Sequence, residues 1–263
     1  MNQPKNQMND REENFFDNTI EGKNAVMEAL KAGRRIDKVY IARSREGESY
    51  PGHIAALARE KGAVVVDCDR KKLDFMSKTR GHQGVIAVGA AKEYVEVADM
   101  LNIARERNEP PFIVICDHLS DPYNLGAVIR SAEVAGAHGV VIPNRRSVGL
   151  TPAVAKASAG AIEHLAVARV ANIPTLLESL KKEGLWLFAA DSSGDTLIYD
   201  ADLTVPCAVV IGSEGEGVGR LVLSRCDYRI RIPMKGQVNS LNASAAAAVI
   251  VFETLRQRMS RAL

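Results

Sequence analysis

A chain of 263 residues has room for one large domain or two modest ones and can bury a substantial core in either case. Hydrophobic residues at 46% and charged residues at 25% exclude a disordered or fibrous chain. The net charge is only +2, yet 14 lysines and arginines face 7 acidic residues between Lys31 and Lys92, a surplus that suits RNA phosphates as well as an ordinary solvated face. The longest apolar run, Ala245 to Phe252, is far short of the ~20 residues of a membrane span, and no apolar signal core opens the chain. Cys68, Cys116, Cys207 and Cys226 form no CxxC pair and no metal-ligand spacing with histidine. A cytoplasmic protein with reduced thiols, no metal and no membrane partner is expected.

Residues 1–16, rich in Asn, Gln, Asp and Glu without periodicity, are expected as a disordered tail. Short helices and apolar strands then alternate: helix Asn24–Leu30, strand Lys38–Ala42, helix His53–Lys61, strand Ala63–Asp67, helix Arg70–Ser77 and strand Val85–Ala90. They form a small α/β domain over 17–93. Residues 94–110, mixed in charge and ending in Pro110-Pro111, are expected as a linker, with a helix from Val97 to Arg107 within it.

A second α/β domain spans 111–263. Phe112–Cys116 is a continuous apolar run suited to a parallel strand buried on both faces. Helix Leu125–Ala135, strand Gly139–Ile142, helix Pro152–Ala159, strand Leu165–Val170 and helix Ile173–Lys182 follow, then strands Leu185–Ala190 and Cys207–Ile211. Helix Gly219–Ser224, strand Tyr228–Ile232 and an alanine-rich final helix complete the chain. About six strands with intervening helices imply a doubly wound parallel sheet with ligands at the strand C-terminal ends. The last helix is apolar nearly all round until Glu253, with Leu241, Ala245, Ala248, Phe252 and Leu255 on one stripe, so burial on more than one side is expected.

Three loops that follow strands are rich in polar residues and glycine. The first, Asp117 to Asn124, leads into a helix on which Arg130 points away from the apolar stripe; Asn124 suits an N-cap. The second, Gly212 to Gly219, lets backbone approach a ligand closely, but it is neither a Walker loop nor a dinucleotide fingerprint. The third, Gly236 to Asn242, contains Asn239, Ser240 and Asn242, residue types that cap helices.

Asn124-Leu125-Gly126-x-x-x-Arg130, Ile211-Gly212-Ser213-Glu214-Gly215-x-Gly217 and Ile232-Pro233-Met234-x-Gly236-x-x-x-Ser240-Leu241-Asn242 together resemble the three signature motifs of the SpoU/TrmH branch of the SPOUT RNA methyltransferases. Glu21-Gly22-x-Asn24-Ala25-Val26 and His82-Gln83-Gly84-Val85 resemble the L30e-like RNA-binding domain of one subgroup. Leu150-Thr151-Pro152 through Ser158-Ala159-Gly160-Ala161-x-Glu163-His164 is similar to the RlmB type, which methylates a guanosine ribose in 23S ribosomal RNA.

The resemblance implies a SPOUT parallel-sheet domain with a deep trefoil knot, preceded by an L30e-like α/β domain. It implies a homodimer, S-adenosylmethionine as cofactor, and 2′-O-methylation of large-subunit ribosomal RNA. Carried over by position, cofactor contacts fall at Ala190, Gly212, Gly217, Ile232, Met234 and Leu241, and Asn124, Arg130, Glu214, Ser240 and Asn242 serve the reaction. A guanidinium with pKa above ~12 is a poor base, so Arg130 is read as fixing phosphate and stabilising the developing alkoxide. RNA contacts in the first domain are sought among Arg34, Arg35, Arg43, Arg45, Lys71 and Lys72, with His82 either a core or turn residue or an RNA contact. Alternatives are the same chemistry on transfer RNA or another ribosomal site, a non-catalytic ribosome-assembly factor, and a nucleotide-dependent oxidoreductase read from the glycine loop.

Overall fold

The computed structural model describes residues 19–43, 51–77, 79–237 and 240–261; the tail, Arg45 and Asn239 lie outside the described residues. The chain divides into two compact units, one up to Glu93 with Gly149–Ala153, the other Tyr94–Val148 with Val154 onward.

In the first unit, β1 (Thr19–Glu21), β2 (Ile36–Ala42), β3 (Val64–Cys68) and β4 (Val85–Gly89) form a sheet ordered β1-β4-β2-β3. Only β2 and β3 are parallel; β4 is antiparallel to β1 and β2. β4 is buried along its length because both faces are covered. On one side Val85 and Ala87 join Val26 and Leu30 of α1 (Lys23–Lys31) and Ile54 and Ala58 of α2 (Gly52–Glu60). On the other, Ile86 and Val88 meet Leu73 and Met76 of α3 (Arg70–Met76). His82 is a buried turn residue, 2% exposed. Its Nδ1 accepts the Gly84 N–H at 3.0 Å, so the ring proton sits on Nε2, 2.9 Å from Asp74 Oδ1.

In the second unit seven parallel strands are ordered β7-β6-β5-β10-β8-β11-β9. They are β5 (Phe112–Cys116), β6 (Gly139–Pro143), β7 (Val167–Val170), β8 (Trp186–Ala190), β9 (Thr196–Leu197), β10 (Cys207–Ile211) and β11 (Tyr228–Arg231). The apolar runs of β5, β6 and β10 are wholly buried, as central parallel strands covered on both faces must be. One face packs α4 (Val97–Glu106), α7 (Ile173–Lys182) and α8 (Arg220–Leu223) through Met100, Leu177 and Val222. The other carries α5 (Pro122–Val134) and α9 (Ala243–Arg261), which pack on one another. A further short helix, α6 (Pro152–Ala157), lies close enough to α5 that a Cβ on Gly126 would sit 2.4 Å from that of Ala157.

Four features differ from expectation. Segment 94–110 carries the expected helix but belongs to the second unit: α4 buries Met100, Leu101 and Ala104. The sheet has a seventh strand, β9, whose two residues carry no pattern and form a strand only by pairing with β11. On α9 the buried residues are Ala243, Ala247, Ile250, Val251, Glu253 and Thr254, whereas of the expected stripe Ala245 and Phe252 are exposed, Ala248 and Leu255 are half-buried, and Leu241 stands exposed before the helix begins. The small side chains of Ala243 and Ala247 face inward and permit the close approach to α5. Finally, Glu253 does not end the buried stretch; its carboxylate pairs with Arg256 at 2.8 Å, an interaction that holds its pKa below the usual range.

β11 lies between β8 and β9, strands that are consecutive in the chain and joined by residues 191–195 alone. That short span hugs β11: Asp191 N–H donates to Ile230 O at 2.9 Å, and a Cβ at Gly194 would sit 2.4 Å from Arg229 O. Burial makes the cysteine thiols inert packing groups, pushing Cys116 up to about 12 and Cys207 up to about 11. Among the described residues no helix is long and apolar enough to cross a membrane.

Candidate active site

Parallel strands end at one edge of the sheet, so the loops after β6, β5, β10, β8 and β11 stand there in that order. The β5 loop is joined to the β10 loop by Asp117. Its N–H donates to Ile211 O at 2.7 Å, and its fully buried carboxylate accepts the Gly219 N–H on Oδ2 at 2.8 Å. The other oxygen lies 2.8 Å from His118 Nδ1, near enough for an ion pair with a protonated imidazole. Asp117 is a site-building residue that motif reading passed over; its only signal was an acid placed directly after a buried apolar strand.

Helix α5 is capped by Asp121, whose Oδ1 accepts the Tyr123 N–H at 3.2 Å, and Pro122 takes the first helical position. Asn124 is therefore not the cap. It is the third residue of the helix, 7% exposed, and its amide is free to reach across. Asn124 Nδ2 donates to Glu214 Oε1 at 3.0 Å. Asn242 Nδ2 donates to Asn124 Oδ1 at 3.0 Å and also to Glu214 Oε1. Asn242 Oδ1 meanwhile caps α9, accepting from Ser244 N at 2.9 Å, Ser244 Oγ at 2.6 Å and Ala245 N at 3.2 Å. One amide thus has both ends committed, which dictates its orientation. Three loops from three strands meet at Asn124, Glu214 and Asn242, and Glu214 keeps Oε2 without a protein partner among the described residues.

The glycine-rich loop folds on itself through paired bonds between Ser213 and Gly217, at 3.2 and 3.0 Å. A Cβ on Gly212 would lie 2.0 Å from Gly217 C, so glycine there is demanded by the loop's own backbone; Gly217, at φ +67°, supplies the turn. At the ends of β8 and β11, Ala190 and Ile232 are half-buried, while Met234 and Leu241 are exposed. Arg130 is exposed on α5, about 9 Å along the helix from Asn124 at 1.5 Å per residue. Ser240 is likewise exposed two residues before the cap. Among the described residues neither side chain bonds to the Asn124–Glu214–Asn242 cluster.

Residues 111–252 match the SpoU rRNA Methylase family and residues 19–95 a family described as RNA 2′-O ribose methyltransferase substrate binding. A protein of Bacillus subtilis (strain 168), named YacO and placed in the TrmH family of tRNA/rRNA methyltransferases, is 48% identical over 238 residues, covering 90% of this chain and 94% of that one. The crystal structure of the SpoU methyltransferase AviRb from Streptomyces viridochromogenes with the cofactor AdoMet matches with a TM-score of 0.58 at 26% identity, covering 92% of this chain and 90% of that one. The TrmH/SpoU tRNA modifying enzyme of A. aeolicus matches with a TM-score of 0.53 at 25% identity, covering 63% of this chain and 85% of that one.

Proposed function

We propose that this chain, which belongs to the SpoU/TrmH family of S-adenosylmethionine-dependent RNA methyltransferases, methylates a guanosine ribose 2′-oxygen of 23S ribosomal RNA. The observation that carries the reading is the meeting of Asn124, Glu214 and Asn242, one residue from each of three separate loops. Packing and capping alone need no such cross-loop cluster, because Asn242 already caps α9 with its other atom.

S-adenosylmethionine supplies an electrophilic methyl group on a sulfonium. The edge beside the cluster fits it: half-buried Ala190 and Ile232 and exposed Met234 and Leu241 offer apolar contact, and the Gly212–Gly217 loop offers backbone. The carboxylate of Glu214, held on Oε1 by two amides, presents Oε2 as an acceptor for a ribose hydroxyl. Asn124 and Asn242 hold that carboxylate in place, so little reorganisation accompanies reaction. The Arg130 guanidinium holds the phosphate beside the ribose and stabilises the charge that develops on the 2′-oxygen as its proton passes to Glu214 Oε2. Ser240, two residues before the cap, orients the ribose or the cofactor.

In this reading, residues 17–93 grip the RNA and 111–263 carry the chemistry, with the β8–β9 span around β11 forming part of a trefoil knot. The ribosomal target is favoured by the substrate-binding match over 19–95 and by the smaller share, 63%, over which the tRNA modifying enzyme matches this chain. A second copy of the chain covers the exposed apolar side chains Val249 and Phe252 of α9 and Val134 of α5. The protein works in the cytoplasm, where its RNA is made.

The test is transfer from labelled S-adenosylmethionine to unmodified 23S ribosomal RNA and to tRNA transcripts, followed by mapping of the alkali-resistant linkage. Label in 23S RNA at a guanosine is expected; label in tRNA alone sinks the ribosomal assignment. Arg130→Ala should abolish transfer with cofactor affinity nearly intact, and a large loss of that affinity would contradict its role.

A further inference from the structure

The loop after β6 stands beside the loop that carries Asn124, and the two are tied together. Val148 N–H donates to Leu119 O at 2.8 Å, and the buried Ser147 hydroxyl donates to the same oxygen at 2.9 Å. At the other end of the loop, Asn144 N–H donates to Val170 O at 2.8 Å. Leu119 is itself 2% exposed, so the base of the β6 loop is fixed to the core of the site. Its tip is Arg145-Arg146, both exposed, with Arg146 at φ +56°. A left-handed conformation is uncommon for a non-glycine residue and persists where surroundings over-determine it. Among the described residues neither guanidinium has a hydrogen-bond or ion-pair partner.

Strand order gives this pair its meaning. Along the edge β6-β5-β10-β8-β11, the proposed cofactor contacts belong to β10, β8 and β11, on one side of the Asn124 loop. Arg145 and Arg146 belong to β6, on the other. The side of the reaction centre away from the methyl donor is where the RNA strand must run, and a ribose there has a phosphate on each side.

We propose that Arg145 and Arg146 form a phosphate clamp that holds the RNA backbone beside the target nucleotide, a binding site distinct from the first unit. Guanidinium forks match phosphate oxygens, and a backbone-anchored loop loses little freedom on binding. The identity of the polyanion as RNA rests on the methyltransferase reading above; the two unpaired cations and their anchoring do not.

The experiment is filter binding of 23S ribosomal RNA and tRNA transcripts over a range of salt concentrations, to the full chain and to two double variants. Arg145→Ala/Arg146→Ala should weaken RNA binding about tenfold and lower the salt slope by about one to two, since each lost phosphate contact removes about 0.7–0.9. Arg145→Lys/Arg146→Lys should restore most of both. Melting temperature and S-adenosylmethionine affinity should match wild type in each. Unchanged RNA affinity and slope overturn the clamp, as does weakened binding with the slope intact. Loss of cofactor affinity or of melting temperature in the alanine variant also overturns it, because the arginines would then be structural. A wild-type chain that binds RNA through these arginines but transfers no methyl group supports the clamp and refutes the methylation reading instead. Wild-type chain that binds neither RNA refutes the clamp.

Discussion

Replacing Asn242 by aspartate separates the two jobs of its side chain. The cap survives, because the oxygen that accepts from Ser244 and Ala245 is retained. The amide nitrogen becomes a carboxylate oxygen facing Asn124 Oδ1 and Glu214 Oε1, both acceptors. A lost charge-assisted hydrogen bond costs about 1.5–3 kcal/mol, and carboxylate repulsion adds to it, damped because Glu214 is exposed. Together they come to about 2–4 kcal/mol against the assembled cluster, or roughly 30- to 900-fold in rate at 1.36 kcal/mol per decade. The resting protein escapes that cost by letting the glycine loop swing outward, so global stability hardly changes. Asn242→Ala differs: it also removes the cap, about 1 kcal/mol, and should melt roughly 2–4 °C lower. Methyl transfer to RNA at saturating S-adenosylmethionine, beside thermal melts of both variants, reads the difference. Transfer by Asn242→Asp within threefold of wild type, or a melting loss equal to that of Asn242→Ala, refutes the argument.

Gly212→Ala puts a Cβ 2.0 Å from Gly217 C, a clash with backbone that cannot rotate away; a loss of about 3 kcal/mol and of cofactor affinity is expected, checked by urea unfolding and calorimetry. His138 accepts the Phe112 N–H on Nδ1 at 2.9 Å and faces Glu109 through Nε2 at 3.1 Å; burial lowers its pKa, against the opposing pull of Glu109. The unfolded chain therefore takes up a proton below about pH 6.5 that the folded one refuses. Stability should fall as pH drops from 6.5 toward the depressed folded value, by at most about 1.4 kcal/mol per pH unit. His138→Gln should flatten that slope, and an unchanged slope would absolve the histidine. Arg258 donates to the carbonyls of Pro110, Pro111, Val205 and Leu203 at 2.6–3.2 Å and lies 5.2 Å from the Phe112 ring centroid. Arg258→Met removes the donor shared by these carbonyls, of which Pro111 O keeps the Cys207 N–H at 2.9 Å, and should destabilise by about 2–4 kcal/mol; a melting shift below 2 °C would contradict this.

Much of the molecule was legible in its residues. β5, β10 and α7 stand where their apolar runs and periodicity put them, since a strand buried on both faces needs an unbroken apolar run and an amphipathic helix needs its stripe. Local chemistry also located the three polar loops, and motif resemblance named their residues. Other facts have no local signal. β9 is a strand only because β11 lies beside it, and Ala245 and Phe252 line the outer face of α9 only because α5 takes the opposite one. The exchange of the cap from Asn124 to Asp121 was hidden for the same reason, as both residue types cap equally well and the choice depends on where the helix starts. Above all, Asn124 and Asn242 are 118 residues apart and Asn124 and Glu214 are 90 apart. A hydrogen bond over such a separation is set by strand order, and strand order is decided by how whole faces pack, which no short window of sequence contains.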